Sequence, residues 1–337
     1  MKTWRSRASA IAVEACALLV LIGCATPGPR CPRPYRIPGG LPGVWLVGGV
    51  GLAAAVAGDN AEVTALYTNA DGDPHEFEPS AADTATIADA DILVFNGGHY
   101  DSYMEEAAAN SDATAVDAYA LLGSDEHADE AGGDHGDEHA SGDHSDGDHS
   151  DGAHDHAHGD QNEHVFYDLP VVAQVADKVA DALAEKDPDN AETYRANAET
   201  FTTGIDGLRA KLTTIREQHA DTEVAQTEPL AGYMLTEAGL VDIAPAGFTQ
   251  AVEEGQSPAA ADRAALQDIL ADRRTKVLIY NTQAVDPVTQ AMLDVARSAG
   301  VPVVEFTETL PDGVTSYIAW QTAQIDALAA ALAEPAR

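Results

Sequence analysis

Apolar residues recur along this chain in two patterns. Short continuous runs are typical of buried strands, and longer stretches with an apolar residue at every third or fourth position are typical of helices. The runs DILVFN (91–96) and KVLIYN (276–281) predict two buried strands. Helical spacing covers 168–186 and 190–218, and the second helix would be about 40 Å long at 1.5 Å per residue.

Strands and helices alternate in both halves of the chain. The other predicted strands are 62–69, 223–228 and 301–306, with a short strand or turn within 113–122, and the other predicted helices are 81–90, 100–110, 232–238, 257–271, 286–299 and 316–332. This alternation predicts parallel sheets covered by helices. The predicted fold class is therefore α/β, with two α/β lobes that have parallel-type sheets and are joined by one long rigid spine helix. DILVFN and KVLIYN take matching places in the two halves, a hint of internal pseudo-symmetry.

Breaks in the pattern divide the chain into segments. We predict an export signal over 1–24, an irregular tether rich in Pro and Gly over 25–50, a first lobe over 51–187, the spine helix over 188–219 and a second lobe over 220–337. No strand or helix is predicted within the tether, because Pro and Gly interrupt it repeatedly.

A tract within the first lobe, residues 124–162, carries no large apolar residue. It cannot bury a core, so we predict that it is disordered. Eight of the 12 histidines of the chain lie in it: His127, His135, His139, His144, His149, His154, His156 and His158. Imidazole binds borderline metals and the interspersed carboxylates add charge. The tract is interpreted as a loose collector of transition-metal ions, and a merely solvated acidic linker is the alternative.

The N-terminus has the composition of an export signal. Lys2, Arg5 and Arg7 precede a mostly apolar stretch, 8–22. The residues that end at Cys24 (LIGC) resemble the lipobox of bacterial lipoproteins, which implies lipid attachment at Cys24. A signal peptide without lipid is the alternative. All three cysteines lie in the first 31 residues, so the folded body is predicted to hold no disulfide and no thiolate metal site.

The charge of the chain narrows the classes of partner. With 18 basic and 56 acidic residues, the formal net charge is -38. This excludes nucleic acid as a partner, since phosphate backbones are bound by clustered Lys and Arg. A negative field concentrates cations, although a saline habitat would favour the same composition. The sequence has no phosphate-binding loop, HExxH or GxSxG motif. We therefore predict that the protein is not an enzyme, and a metallohydrolase is the least favoured class.

His75 is the first candidate ligand of the folded body. It lies in the segment DPHEFEP (73–79), directly after a predicted strand, and proline on both sides stiffens the loop. In open α/β sheets such loops are where ligands bind. A surface histidine is the alternative. His99, after Gly97 and Gly98, is interpreted as structural.

The stretch 62–104 resembles the first lobe of the metal-binding lipoproteins that serve bacterial zinc and manganese ABC importers. The family has a DPHxxEP loop whose histidine binds metal, and this maps to His75. The family's HxWxDP motif, with the second ligand, maps to HVFYDLP (164–170) and implies a ligand role for His164. The His-rich loop and the long helix of the family fall where this chain has its own.

In the second lobe the resemblance implies two acidic ligands. The segment TEPLAGY (227–233) places Glu228 at the third ligand position. The fourth is an acidic residue before the last helix; Asp312 is the better match and Glu308 is the alternative. The resemblance covers residues 52–335. It fails before them, because the family's first strand, of the type VVATT, has no counterpart in 25–50.

The resemblance implies a function as well as a site. The chain is expected to be an extracytoplasmic solute-binding protein, anchored by lipid to the outer face of the membrane, that captures Zn²⁺ or Mn²⁺ and hands it to an ABC permease and its ATPase. It is expected to be a monomer. The His-rich tract favours zinc, while two carboxylates suit manganese. An extracellular metal buffer or a metal-dependent adhesin is the alternative.

Overall fold

The structure is a computed structural model that describes residues 41–45, 50–123 and 161–335. The predicted export signal with Cys24, residues 25–40 and 46–49 of the predicted tether, and the eight tract histidines lie outside the described residues.

The first sheet consists of four parallel strands in the order β2-β1-β3-β4. They are β1 (Leu41–Trp45), β2 (Ala61–Ala65), β3 (Ile92–Phe95) and β4 (Thr114–Asp117). β1 is a central strand, and its residue Gly43 pairs with Val63 on one side and with Ile92 on the other.

The prediction of an irregular segment over 25–50 is therefore wrong for residues 41–45. The strand has the sequence LPGVW. Proline lacks an N–H for the ladder and glycine weakens a strand, so both residues argue locally against this assignment. Pairing with two neighbouring strands outweighs that local preference, and the first sheet is complete.

The second sheet repeats the topology of the first, in the order β6-β5-β7-β8. Its parallel strands are β5 (Glu223–Gln226), β6 (Val241–Asp242), β7 (Leu278–Asn281) and β8 (Val303–Phe306). β3 and β7, the strands of DILVFN and KVLIYN, take the same place in their sheets. The predicted pseudo-symmetry and the two parallel sheets are confirmed.

Helices connect the strands and cover both sheets. Those of the described residues are α1 (Val50–Ala57), α2 (Ala81–Ala88), α3 (Ser102–Ala109), α4 (Leu169–Lys186), α5 (Ala191–His219), α6 (Gly232–Glu237), α7 (Ala246–Glu253), α8 (Ala260–Ala271), α9 (Pro287–Ala299) and α10 (Tyr317–Ala333). α2 and α9 begin with capping boxes at Ser80 and Asp286. Asp168 caps α4 by accepting a hydrogen bond from the backbone N–H of Val171.

The predicted spine helix is α5, which has 29 residues. Its buried side chains return every three or four residues, from Tyr194 to Ile215. It packs against α1 and α4 of the first lobe and against α6 and α10 of the second. One hydrophobic cluster continues through both lobes along this helix. None of the described helices combines the length and apolar character that crossing a membrane requires.

Candidate metal centre

His75 lies in a short 3-10 turn, Pro74–Glu76, in the connection between β2 and α2. The carboxylate of Asp73 caps this turn and accepts a hydrogen bond of 2.8 Å from the backbone N–H of His75. Proline at the first position of the turn fixes the backbone where no N–H is needed. The DPH sequence therefore holds the imidazole at the carboxyl edge of the first sheet.

His164 precedes a second 3-10 turn, Val165–Tyr167, and is completely buried. The side-chain oxygen of Asn162 lies 2.8 Å from the backbone N of His164 and 2.9 Å from its Nδ1. Because an amide oxygen only accepts, Nδ1 carries the proton in this pair and Nε2 is left with a free lone pair. Asn162 thus fixes which nitrogen of His164 can bind a metal ion.

The second lobe contributes two glutamates from strand ends. Glu228 comes two residues after β5, and Glu308 comes two residues after β8. Both are completely buried. Between β5 and β8 lies β7, whose last residue is Asn281. The parallel arrangement brings these three side chains together at the carboxyl edge of the sheet.

The four side chains converge on one place. His75, His164, Glu228 and Glu308 each offer one ligand atom, and these atoms all lie within 4.8 Å of one another. The Oε2 atom of Glu308 is 3.3 Å from Nε2 of His75 and 3.6 Å from Nε2 of His164. Nε2 of His75 is 3.8 Å from Oε1 of Glu228.

Three of these atoms are buried and make no hydrogen bond: Nε2 of His75, Nε2 of His164 and Oε1 of Glu228. An unpaired polar atom in the interior typically costs about 1–3 kcal/mol. Three such atoms aimed at one point would be costly without a shared partner. Two imidazoles and two carboxylates are suitable donors for a divalent ion, and the two anionic charges balance it.

The titration of the cluster follows from its burial and charge. Burial alone would lower the pKa of His75, but its contacts with Glu308, Glu228 and Glu163 outweigh this and raise the pKa to about 10. Burial opposes ionisation of Glu308, yet the two histidines hold its pKa well below the usual range. Burial, and next the charge of Glu308, raise the pKa of Glu228 well above the usual range. His75 therefore keeps its proton at neutral pH, and a metal ion must displace it.

Neighbouring groups hold the carboxylates in place. The side-chain amide of Asn281 donates to Oε2 of Glu228 and, at 2.7 Å, to Oε1 of Glu308. The hydroxyl of Tyr100 donates to Oε2 of Glu308 at 2.8 Å. Burial raises the pKa of Tyr100 well above its usual range, so this hydroxyl keeps its proton.

Gln283 connects the two lobes beside the cluster. Its oxygen accepts hydrogen bonds from the backbone N–H groups of Glu308 and Thr309, at 2.6 and 3.1 Å. Its nitrogen donates to the backbone oxygen of Gly72 at 2.9 Å. The loop of Glu308 is thereby attached to the loop that leads to His75.

Two further carboxylates lie on the outer side of the histidines. Glu163 is 3.4 Å from Nδ1 of His75, and Glu253 is 3.5 Å from Nδ1 of His164. Burial raises the pKa of Glu253 to about 7. Neither residue was predicted from the sequence, and Asn162, Asn281 and Gln283 were not predicted either. For Asn281 a signal existed, because a polar residue ends the apolar run KVLIYN.

The structure places three of the four residues proposed as ligands in one cluster and the fourth outside it. It brings His75, His164 and Glu228 together as predicted, but the fourth member of the cluster is Glu308, and Asp312 is exposed. Glu308 lies directly beyond β8, whereas Asp312 is in a turn farther along, with a glycine after it. His99 is exposed, has a φ of 77° and does not belong to the cluster.

Comparison with known proteins identifies relatives of this chain. The family model for zinc-uptake complex component A periplasmic matches residues 51–331. A zinc-binding lipoprotein AdcA of Streptococcus pneumoniae is 24% identical over 286 residues, 81% of this chain and 52% of that protein. The high-affinity zinc uptake system protein ZnuA of Bacillus subtilis is 29% identical over 224 residues, 65% of this chain and 64% of that protein. The chain thus spans about half to two thirds of the length of these relatives.

A solved structure supports the fold independently. The periplasmic zinc binding protein TroA of Treponema pallidum superimposes with a TM-score of 0.68 at 17% identity, over 88% of this chain and 100% of that one. At this identity the likeness shows the fold alone. The match of the family model over most of the chain shows the family: the chain belongs to the zinc-uptake complex component A periplasmic family.

Proposed function

We propose that the protein captures zinc outside the cytoplasm and hands it to an ABC-type permease in the membrane, which is powered by an ATPase. The observation that carries this proposal is the convergence of four buried ligand atoms from both lobes, three of them without a hydrogen-bond partner. His75, His164, Glu228 and Glu308 are the proposed ligands.

The site suits a carrier better than a catalyst. Four protein ligands complete a tetrahedral shell, whereas a catalytic zinc site keeps one position for water or substrate. The carboxylates come from one lobe and the imidazoles from the other, so a bound ion would join the lobes across the cleft. The bonds of Gln283 already join the same loops. We therefore expect release to need local movement of the ligand loops rather than wide opening of the lobes.

Location and partners are part of the same proposal. A relative, AdcA, is named a zinc-binding lipoprotein. We propose that this chain is likewise anchored outside the membrane through Cys24 and acts as a monomer. The His-rich tract is proposed to be an auxiliary collector of zinc that is separate from the tight site.

Zinc titration of the full chain and of a variant that lacks residues 126–159 tests the function. Isothermal titration should show one tight site in both proteins and a lower total stoichiometry in the deletion variant. The tight site should persist because all four proposed ligands lie outside the deleted segment. Loss of tight binding on deletion would assign capture to the tract instead, and absence of tight binding from the full chain would refute the proposal.

A further inference from the structure

The two carboxylates of the cluster share one hydrogen-bond donor, and this bears on which metal the site selects. The inference rests on the proposed function, since it concerns the same four ligands. Each carboxylate has two oxygens and can bind a metal through one or through both. Manganese takes an octahedral shell made largely of oxygen, which a carboxylate that binds through both oxygens helps to fill. Zinc in closed protein sites is tetrahedral.

Asn281 occupies one oxygen of each carboxylate. Its Nδ2 has two hydrogens, and they are directed to Oε2 of Glu228 and to Oε1 of Glu308. The oxygens that remain are Oε1 of Glu228, which has no hydrogen-bond partner, and Oε2 of Glu308, which lies 3.3 Å from Nε2 of His75. Thus one oxygen of each carboxylate is held away from the ligand cluster and the other is turned into it.

The orientation of the Asn281 amide is fixed as well. Its oxygen accepts a hydrogen bond of 2.9 Å from the backbone N–H of Gln283. A flipped amide would lose this bond and turn an acceptor toward two carboxylates, so only the observed orientation satisfies the network. Asn281 is also completely buried, like both glutamates. Solvent therefore cannot replace the hydrogen bonds of Asn281 if a carboxylate turns.

We propose that Asn281 is a specificity-determining residue: it holds Glu228 and Glu308 each to a single ligand oxygen and so favours tetrahedral zinc over manganese. Tyr100 assists by donating to Oε2 of Glu308, the oxygen that is turned into the cluster, and so helps to hold this carboxylate in its orientation. Asn281 contacts the ligands and acts through them, so it is a positioning residue. Residues of this kind typically change metal affinity by about ten- to a hundredfold when replaced.

The test compares the full-length protein with Asn281→Ala. Zinc affinity is measured by competition with a chromophoric chelator, and manganese affinity by the electron paramagnetic resonance signal of free Mn²⁺. The ratio of zinc to manganese affinity should fall by about tenfold or more in Asn281→Ala, because both carboxylates become free to bind through two oxygens.

One equivalent of Co²⁺ supplies a second measurement. Its visible absorption is intense in a tetrahedral site and weak in a site of higher coordination, so Asn281→Ala should lose intensity.

Two further variants separate the effect of the Asn281 amide from a general loosening of the site. Asn281→Leu removes the amide but keeps most of its volume, which prevents a water molecule from taking its place, and it should shift the ratio in the same direction. Gln283→Ala removes a neighbouring buried amide that contacts neither ligand carboxylate. It should weaken zinc and manganese by similar factors and leave their ratio within about twofold, since it loosens the loops without freeing a ligand oxygen. Circular dichroism confirms that each variant is folded.

The possible failures are distinguishable. If the ratio and the cobalt spectrum of both Asn281 variants match those of the unmodified protein, the inference is wrong and the proposed function stands. An equal shift of the ratio in Gln283→Ala also overturns the inference, because loosening of the loops would then suffice. If the unmodified protein binds no zinc tightly, the proposed function itself fails.

Discussion

The two lobes have the same strand order but hold their ligands differently. In the second lobe, Glu228 and Glu308 lie just beyond strand ends and are joined through Asn281, which ends the strand between them. In the first lobe the histidines lie at 3-10 turns, and the side chains of Asp73 and Asn162 accept hydrogen bonds from their backbone N–H groups. The side chain of His75 keeps 14% exposure, against 1% for Glu228 and 0% for Glu308. The proposed ligands of the second lobe are therefore shielded from solvent, and His75 of the first lobe is the most exposed of the four.

The largest effect is expected from His164, the fully buried proposed ligand of the first lobe. Structural zinc sites bind with about 10–16 kcal/mol in total, so that one ligand in four accounts for roughly 2.5–4 kcal/mol. His164→Ala should weaken zinc binding by about a thousandfold in isothermal titration, since it also leaves two carboxylates facing a vacated space. His99→Asn is the matched control, because His99 is exposed and asparagine tolerates its left-handed backbone. Equal affinity of the two variants would remove His164 from the site.

A smaller effect is expected in the second lobe, and it decides between the two acidic candidates. Glu308→Gln should lower zinc affinity by about a hundredfold, because the amide keeps an oxygen but loses the charge. Asp312→Asn should change affinity by less than about twofold, since Asp312 is exposed and outside the cluster. The same titration measures both variants. The reverse order of effects would restore Asp312 as the fourth ligand.

The smallest effect concerns protons and links the two lobes. The pKa of His75 is about 10 because carboxylates of the second lobe face it. Below that pH a metal ion must displace its proton, so zinc affinity should fall by about tenfold when the pH is lowered from 8 to 7. Titration at pH 7 in buffers of different ionisation enthalpy should show release of at least one proton per zinc. No proton release would mean that the imidazole is already neutral and that the lobes are not coupled in this way.

Much of this arrangement could be predicted from the sequence. Continuous apolar runs predicted β3 and β7, because a strand buried on both faces is apolar at every position. Apolar residues at every third or fourth position predicted α4 and α5 to within about two residues, because a helix buries one stripe of its surface. His75 could be found because a rigid loop after a strand has a recognisable composition. The central strand β1 could not, since Pro42 and Gly43 hide a strand whose stability comes from pairing on both sides.

The fourth proposed ligand shows a second reason why the sequence alone was not sufficient for prediction. Glu308 and Asp312 are four residues apart, and both precede the last helix. The residues around Glu308 and around Asp312 do not show which of them is the ligand. A metal ligand is defined by its closeness to other ligands that are far away in the chain. Only the pairing of β7 with β8 determines that the residue two positions beyond β8 faces Asn281. The supporting amides were missed for the same reason, since their roles consist of contacts between strands or between lobes.

Under the proposed function, the attachment made by Gln283 affects how a permease would recognise this carrier. Because the loops of the two halves are already joined through one amide, the outline of the molecule should differ little between empty and filled forms. A membrane partner that must ignore the empty form would then have little shape difference to detect. The discriminating signal would have to be the change in local charge when a dication replaces the proton of His75, together with the stiffness of the turn that carries His75.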